Sequence, residues 1–494
     1  MVRATSIDDT INEAVSPVAN FISGIIFFSV KIGEPGDPAY VEIPIIVVWL
    51  IVAAAFFTVY LGFQNVRGFK HAIDLVRGKY SDPKDAGEVS HFQALATAVS
   101  GTVGLGNIAG VAVAVSLGGP GATFWMILAG LLGMSTKMAE CTLGVKYRKE
   151  RPDGSVSGGP MYYLRDGLAE IGHKRLGKFL AVFFSICCIG GAIGGGNMFQ
   201  ANQATTQLVN ITGGEAGPLA DWRFAVGIVF ALGVGAVIIG GIKSIARVTE
   251  KIVPIMAVLY IGACITVLVV NFTAIPDAIG QIFVGAFNPE GIAGGVIGVL
   301  IQGFRRAAFS NEAGVGSASI AHSAVKTKEP ATEGFVSLLE PFIDTVVICT
   351  MTSLAIVITG TWTDPNIEAG VETTSAAFGT VAPWFPFLLA VAVILFAFST
   401  MISWSYYGMK ATGYLFKDSA KAELVFKVIF CVFTVIGASL SLGPVIDFSD
   451  SMIFAMSLAN ILGLYFLARV IKREITQYRA KVKSGEFAMV DQDH

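Results

Sequence analysis

Long apolar runs, separated by short polar and basic stretches, organise this chain. The hydrocarbon core of a bilayer takes about 20 mostly apolar residues per helix. Eleven runs approach or exceed that length: 45–63, 93–115, 121–144, 179–207, 223–241, 252–271, 291–321, 335–359, 384–409, 423–443 and 450–470. An earlier apolar segment, 18–30, is too short to span comfortably and reads as interfacial or re-entrant. It does not read as a signal peptide, because Asp8, Asp9 and Glu13 stand where a basic n-region belongs. The pattern predicts an all-α, multi-pass membrane protein.

Composition and charge placement sharpen this reading. Charged residues make up 14% of the chain, against roughly 25% in soluble domains. Mean hydropathy is +0.68. A net charge of −2 gives no general reason to expect a nucleic-acid partner. Lysines and arginines gather after the odd-numbered runs and in the tail. Only Arg3, Lys31 and Arg223 fall on the opposite side, while Lys137, Arg305 and Arg306 lie inside runs. By the positive-inside rule the N-terminus is outside and the C-terminus cytoplasmic. The six cysteines lie in or beside spans, where they act as small apolar residues, and no metal-ligand spacing is evident. The stretch GGIKS (240–244) lacks the adjacent Gly-Lys of a phosphate-binding loop, which argues against ATP-driven pumping by this chain.

Two spans carry breaks. Gly104-Leu105-Gly106-Asn107-Ile108-Ala109 matches the dinucleotide-binding turn, but Val89 to Ala139 contains no acidic residue to hold a ribose. What remains is a membrane helix interrupted by Gly101, Gly104, Gly106 and Gly110, with Ser100, Thr102 and Asn107 at the same depth. Backbone freed from a helix is tolerated there only against protein or a cavity. The competing reading is close helix packing through small residues. Span seven repeats the device, with Gly314 and Gly316 beside Ser310, Asn311 and Glu312. The breaks fall in the second and seventh spans, five apart. Units 93–271 and 291–470 are therefore expected to run in opposite senses, as in secondary transporters built from inverted repeats. The segment 1–44 precedes them outside the membrane with its short interfacial helix, 45–92 adds one extra helix and a loop, and 471–494 is a cytoplasmic tail.

Other polar groups at membrane depth have two readings each. Asn197, Gln200 and Gln203 share a stripe, with Asn202 just off it, and either line a cavity or form an interhelical ladder. Ser399 and Thr400 offer hydroxyls that either face a site or bond back to their own helical turn. Lys137 and Glu140 are expected to pair with each other. Arg305, Arg306 and Glu312 either gate the site, pair with Asp344 or hold the broken helix.

The stretches GTVGLGNIAGVA (101–112), GGPGATFWMILAGLLGMSTKMAEC (118–141), GGPMYYL (158–164), FSNEAGVGS (309–317) and ILFAFST (394–400) resemble the alanine/glycine:cation symporter family, with its leucine-transporter type of five-plus-five fold. The chain departs from the family pattern at Thr123 and Ile127 and in its long N-terminal segment. The resemblance implies about eleven transmembrane helices, two of them discontinuous, and Na⁺-driven import of small neutral amino acids such as alanine or glycine. An H⁺-coupled symporter is the alternative; a channel or a membrane-embedded enzyme fits less well. No cofactor is expected. Residue by residue, the substrate set is Thr102, Val103, Gly104, Gly106, Asn107, Gln200, Gln203, Ser310, Asn311, Thr400 and Trp404. The Na⁺ set is Ser100, Val103, Ser399 and Thr400, and Arg305, Arg306 and Glu312 are gate or coupling candidates. The expected partners are the amino acid, Na⁺ and the lipid bilayer, in a bacterial or archaeal plasma membrane; oligomeric state is left open.

Overall fold

The computed structural model describes residues 7–34, 40–80, 85–151, 154–288 and 294–486, with side chains from residue 16 onward. Arg3, Lys84, the side chains of Asp8, Asp9 and Glu13, the first residues of run 291–321 and the end of the tail lie outside the described set.

Among the described residues, eight helices are long and apolar enough to cross a membrane: Ala122–Lys146, Lys174–Ile211, Ala220–Ile238, Gly241–Val270, Pro330–Thr359, Phe385–Leu415, Ala420–Ser439 and Leu442–Phe466. A ninth span is bent, His91–Thr102 and Gly106–Gly118 meeting at 50°. The other two expected spans are shorter helices: the apolar Ile45–Tyr60, of 16 residues, and Gly295–Asn311, of 17, which carries Arg305 and Arg306. At 1.5 Å per residue each covers about 25 Å, somewhat less than a full bilayer core. The N-terminal segment holds a helix longer than the apolar run alone suggests, Ile7–Ile26. It is followed by a hairpin of Ser29–Ile32 with Val41–Pro44.

Burial separates a working core from a lipid-facing periphery. Two thirds of the most apolar window of Ala122–Lys146 and of Leu442–Phe466 is buried, against 22% for Ala220–Ile238. The buried helices surround the two broken ones. His91–Thr102 packs on Ala318–His322, and Val111–Gly118 packs on Gly295–Asn311. The first half of each broken helix therefore meets the second half of the other, so the two run antiparallel. A capping box starts the first of them: Ser90 Oγ accepts from the Gln93 amide, and Gln93 Oε1 accepts from the Ser90 amide.

Candidate functional site

The first helix ends at Thr102 and resumes at Gly106 in a wide π-type turn. The amides freed by the break find side chains. Asn107 Oδ1 accepts from Gly104 N at 2.9 Å, and Gln200 Oε1 accepts from Leu105 N at 2.9 Å. Glycine is needed at 104, because a β-carbon there would lie 2.5 Å from Thr400 Oγ1 and 2.9 Å from Gln200 Oε1. On the other side of the break, Thr400 Oγ1 donates to Ser100 O at 2.9 Å and lies 3.5 Å from Val103 O. Trp404 Nε1 is shared between Gly101 O at 3.1 Å and Glu312 Oε1 at 3.0 Å. Thr400 thus turns across to the broken helix.

Ser399 does not: its hydroxyl bonds back to Phe396 O at 3.0 Å, and only its carbonyl reaches Ser100 Oγ, at 2.7 Å. Thr102 likewise spends its hydroxyl on its own helix, at Ala98 O and Val99 O. Both back-bonds to the preceding turn are local and geometrically easy, and each hydroxyl oxygen keeps its accepting lone pairs. Gly106 faces Ser310 and Phe309 at ordinary contact distance.

The second broken helix stops at Asn311 and restarts at Ala318. Between them Glu312, Gly314 and Gly316 take left-handed φ values of 56°, 91° and 94°. A non-glycine residue held there stores backbone strain, of a kind that concentrates at functional sites. Glu312 is held by Ser317 and Trp404, and Gly314 O accepts from Asn460 Nδ2 at 2.8 Å.

Like Trp404, Asp344 ties the two breaks together. The Asp344 carboxylate accepts from Asn107 Nδ2 at 2.6 Å, Ser310 Oγ at 2.9 Å and Thr345 Oγ1 at 2.7 Å. Asn311 Nδ2 in turn donates to Thr345 Oγ1 at 2.9 Å. Asp344 is fully buried, and among the described residues no cation pairs with it. The sequence reading placed Asp344 only as a partner for Arg305 or Arg306. A lone carboxylate inside an apolar span is itself a signal of function, readable from its position in run 335–359.

The amide stripe divides in two. Asn197 Nδ2 donates to Phe430 O, and Asn202 Nδ2 to Gly437 O and, at 2.5 Å, to Leu440 O, so these two form an interhelical ladder. Gln200 reaches the first break. Gln203 Oε1 accepts from Val371 N at 3.0 Å, beneath a cavity of about 250 Å³ also lined by Arg223, Glu368 and Glu372.

The intramembrane charges pair differently from expectation. Lys137 meets Glu340 at 3.2 Å rather than Glu140, which bonds Asn460 instead. Two residues three apart on one helix lost to partners facing them across the packed interface. Arg305 and Arg306 both pair with Asp450, Arg305 at 2.8 Å, and not with Asp344. Helix Leu442–Phe466 packs Asp450 beside them, whereas Asp344 lies deeper, at the breaks. Sequence spacing also missed a cluster of Cys141, His322 and Glu340, whose ligand atoms lie within 4.8 Å of one another. His322 Nε2 already meets Glu340 at 2.5 Å, and Lys137 supplies the positive charge a metal ion would bring.

Two antiparallel broken helices meeting at a buried polar centre define a secondary transporter of the membrane. The centre offers freed backbone groups and amide side chains rather than a nucleophile and a base. The chain matches the Sodium:alanine symporter family over residues 32–492 and belongs to that family. It is 40% identical over 434 residues to the Methanococcus maripaludis sodium/alanine symporter AgcS, covering 87% of this chain and 93% of that one. It is 33% identical to the Bacillus subtilis amino-acid carrier protein AlsT, covering 93% and 94%. In fold it is similar to MhsT, solved in complex with L-phenylalanine, with a TM-score of 0.53 at 15% identity over 79% of this chain and 99% of that one. The protein is thus a multi-pass amino-acid symporter of the sodium-coupled class, and not an enzyme.

Proposed function

We propose that this chain carries alanine and glycine into the cell with Na⁺, by alternating access, in the plasma membrane with its N-terminus outside. The observation that carries the reading is the convergence of the two helix breaks on Asp344, with Gln200 and Thr400 set against the first of them. The amides of Gly104 and Leu105 are suited to a substrate carboxylate once Asn107 and Gln200 release them, and half-helix ends favour such charges. The backbone at Gly104 is closely packed, a β-carbon there falling 2.5 Å from Thr400 Oγ1, which favours a small substrate. Ser100 O, Val103 O and Thr400 Oγ1 make a hard-oxygen set suited to Na⁺. Asp344, bonded to Asn107 on the same broken helix, would add a charged ligand, one that an incoming cation would neutralise.

A second reading, proton coupling, rests on Glu312. It is a buried carboxyl that touches Trp404 at the first break and, among the described residues, has no paired cation at hydrogen-bond distance. Uptake into proteoliposomes separates the two. The expected result is alanine and glycine accumulation that follows an imposed Na⁺ gradient, with glutamine excluded by size. Accumulation driven by a proton gradient alone would transfer the coupling role to Glu312. Loss of accumulation with every imposed gradient, without counterflow of labelled alanine, would overturn the reading as a whole. Thr400→Ala is expected to raise the Na⁺ concentration for half-maximal uptake, and an unchanged Na⁺ response would remove Thr400 from the ion's ligands.

A further inference from the structure

The basic end of the bundle holds cations that its own acids do not answer. Span one ends at Tyr60, and at Phe63 the backbone turns left-handed, with φ 54°. The turn sends the short helix Gln64–Arg67 along the membrane boundary. Arg67 there meets the C-terminal helix Ala468–Ser484, where Arg479 Nη2 donates to Arg67 O at 3.2 Å. Arg479 also lies over the Phe335 ring, 5.6 Å from its centroid. Seven residues earlier on the same helix, Lys472 sits over the Tyr60 ring at 4.5 Å. Residues seven apart share a helix face.

Among the described residues, none of these three cations forms an ion pair. The nearby acids are engaged elsewhere: Glu474 with Lys146 at 2.7 Å, Glu329 with Lys481 at 2.6 Å, and Asp74 with Lys79 at 2.6 Å. Burial and the neighbouring Arg67 both push the Arg479 guanidinium below its ordinary range. Beside the seam, Phe63 and Val66 project outward, 52% and 75% exposed. An anion held by the arginines would therefore have apolar side chains directly against it.

We infer that the seam between Gln64–Arg67 and Ala468–Ser484 is a binding site for the phosphate headgroup of an anionic phospholipid. Arg67 and Arg479 hold the phosphate, Lys472 adds a third positive charge, and the acyl chains lie along Phe63 and Val66. Guanidinium–phosphate pairs are charge-assisted, and basic residues at a membrane boundary gain further from an anionic surface. A free phosphate would use the arginines but not the apolar pair, which is why the lipid is the occupant. Bound there, the lipid would tie the C-terminal helix to the foot of the first span.

The test uses the purified full chain in phosphatidylcholine nanodiscs, with and without added phosphatidylglycerol. Thermal melting and native mass spectrometry are the readouts. Phosphatidylglycerol is expected to raise the melting temperature and to remain bound after detergent release. Arg67→Gln, at an exposed position, and Arg67→Gln with Arg479→Gln should progressively lose both effects while melting normally in phosphatidylcholine alone. Arg175→Gln removes an exposed charge on the same side, on helix Lys174–Ile193, which is not one of the two helices forming the seam, and should keep both effects. Equal loss in Arg175→Gln would mean diffuse surface attraction and would overturn the site. So would a full lipid response in the Arg67 variant. A matching rise in melting temperature from inorganic phosphate without anionic lipid would reject the lipid as occupant. If the double variant does not fold, the single Arg67 variant decides.

Discussion

The side-chain oxygen of Gln200 accepts the Leu105 amide hydrogen at 2.9 Å, closing a gap in a helix that lies 95 positions away in the sequence. The same oxygen would lie 2.9 Å from any β-carbon at Gly104. Gly104→Val is therefore expected to abolish uptake while leaving a folded, membrane-inserted protein, because valine fills the site and resists the unwound backbone. Melting of the purified variant with and without alanine checks this. A native-like melt that alanine no longer raises supports the site. A lowered melt that alanine still raises would reduce the break to a close-packed crossing.

Asp344 carries a second expectation. A buried carboxylate without a countercharge is costly to the folded state. Asp344→Asn should melt higher than the parent chain in Na⁺-free buffer, and added Na⁺ should no longer raise its melt. The Na⁺ concentration for half-maximal uptake should rise about tenfold, the change that ~1.4 kcal/mol of lost charged contact produces. Retention of the Na⁺-dependent melt would exclude Asp344 as a ligand.

Arg306 and Asp450 form a buried pair near the end of the bundle with few basic residues. Removing Asp450 strands the buried Arg306, at a cost of about 3–5 kcal/mol, while the second partner Arg305 is partly exposed and can turn to water. Asp450→Leu alone should lower stability by that order. Arg306→Met combined with Asp450→Leu should recover most of it. Denaturation of both variants by temperature or urea measures the difference, and equal instability of the two would mean that the pair is not the cause.

His71 lies outside the spans, with Nε2 2.7 Å from Tyr478 Oη on the C-terminal helix. Burial lowers its pKa from 6.5, opposed by Asp74 and reinforced by Arg479. Between the lowered value and 6.5 the unfolded chain binds more protons than the folded one. Stability therefore rises with pH through that interval, and the contribution is complete above 6.5. On acidification the parent chain should lose melting temperature more steeply than His71→Gln. Parallel slopes for the two would remove His71 from the pH response.

Membrane orientation is open to direct chemical test. With the native cysteines replaced, a cysteine at exposed Asp364 should react with an impermeant thiol reagent added outside intact cells. One at exposed Glu150 should react only after permeabilisation. The reverse pattern would invert the proposed topology and the direction of transport with it.

The spans and the two glycine breaks were legible in the sequence, because each depends on local length or composition. Hydrocarbon thickness sets how long an apolar run must be, and glycine marks where a helix comes apart whatever surrounds it. Family membership was legible for the same reason, since its motifs are contiguous around the breaks. Partner choice was not. Lys137 lies three residues from Glu140 yet pairs with Glu340, and Arg306 finds Asp450 rather than Asp344. A long charged side chain in a packed membrane bundle takes whichever opposite charge the crossing helices bring within reach. Asn197 and Gln200 share a stripe, but one braces Phe430 and the other enters the site, because two different helices pack against that stripe. Asp344 bridges both breaks only because Pro330–Thr359 passes between them. Spacing along one helix says which residues share a face; only the packing of several helices decides what that face meets.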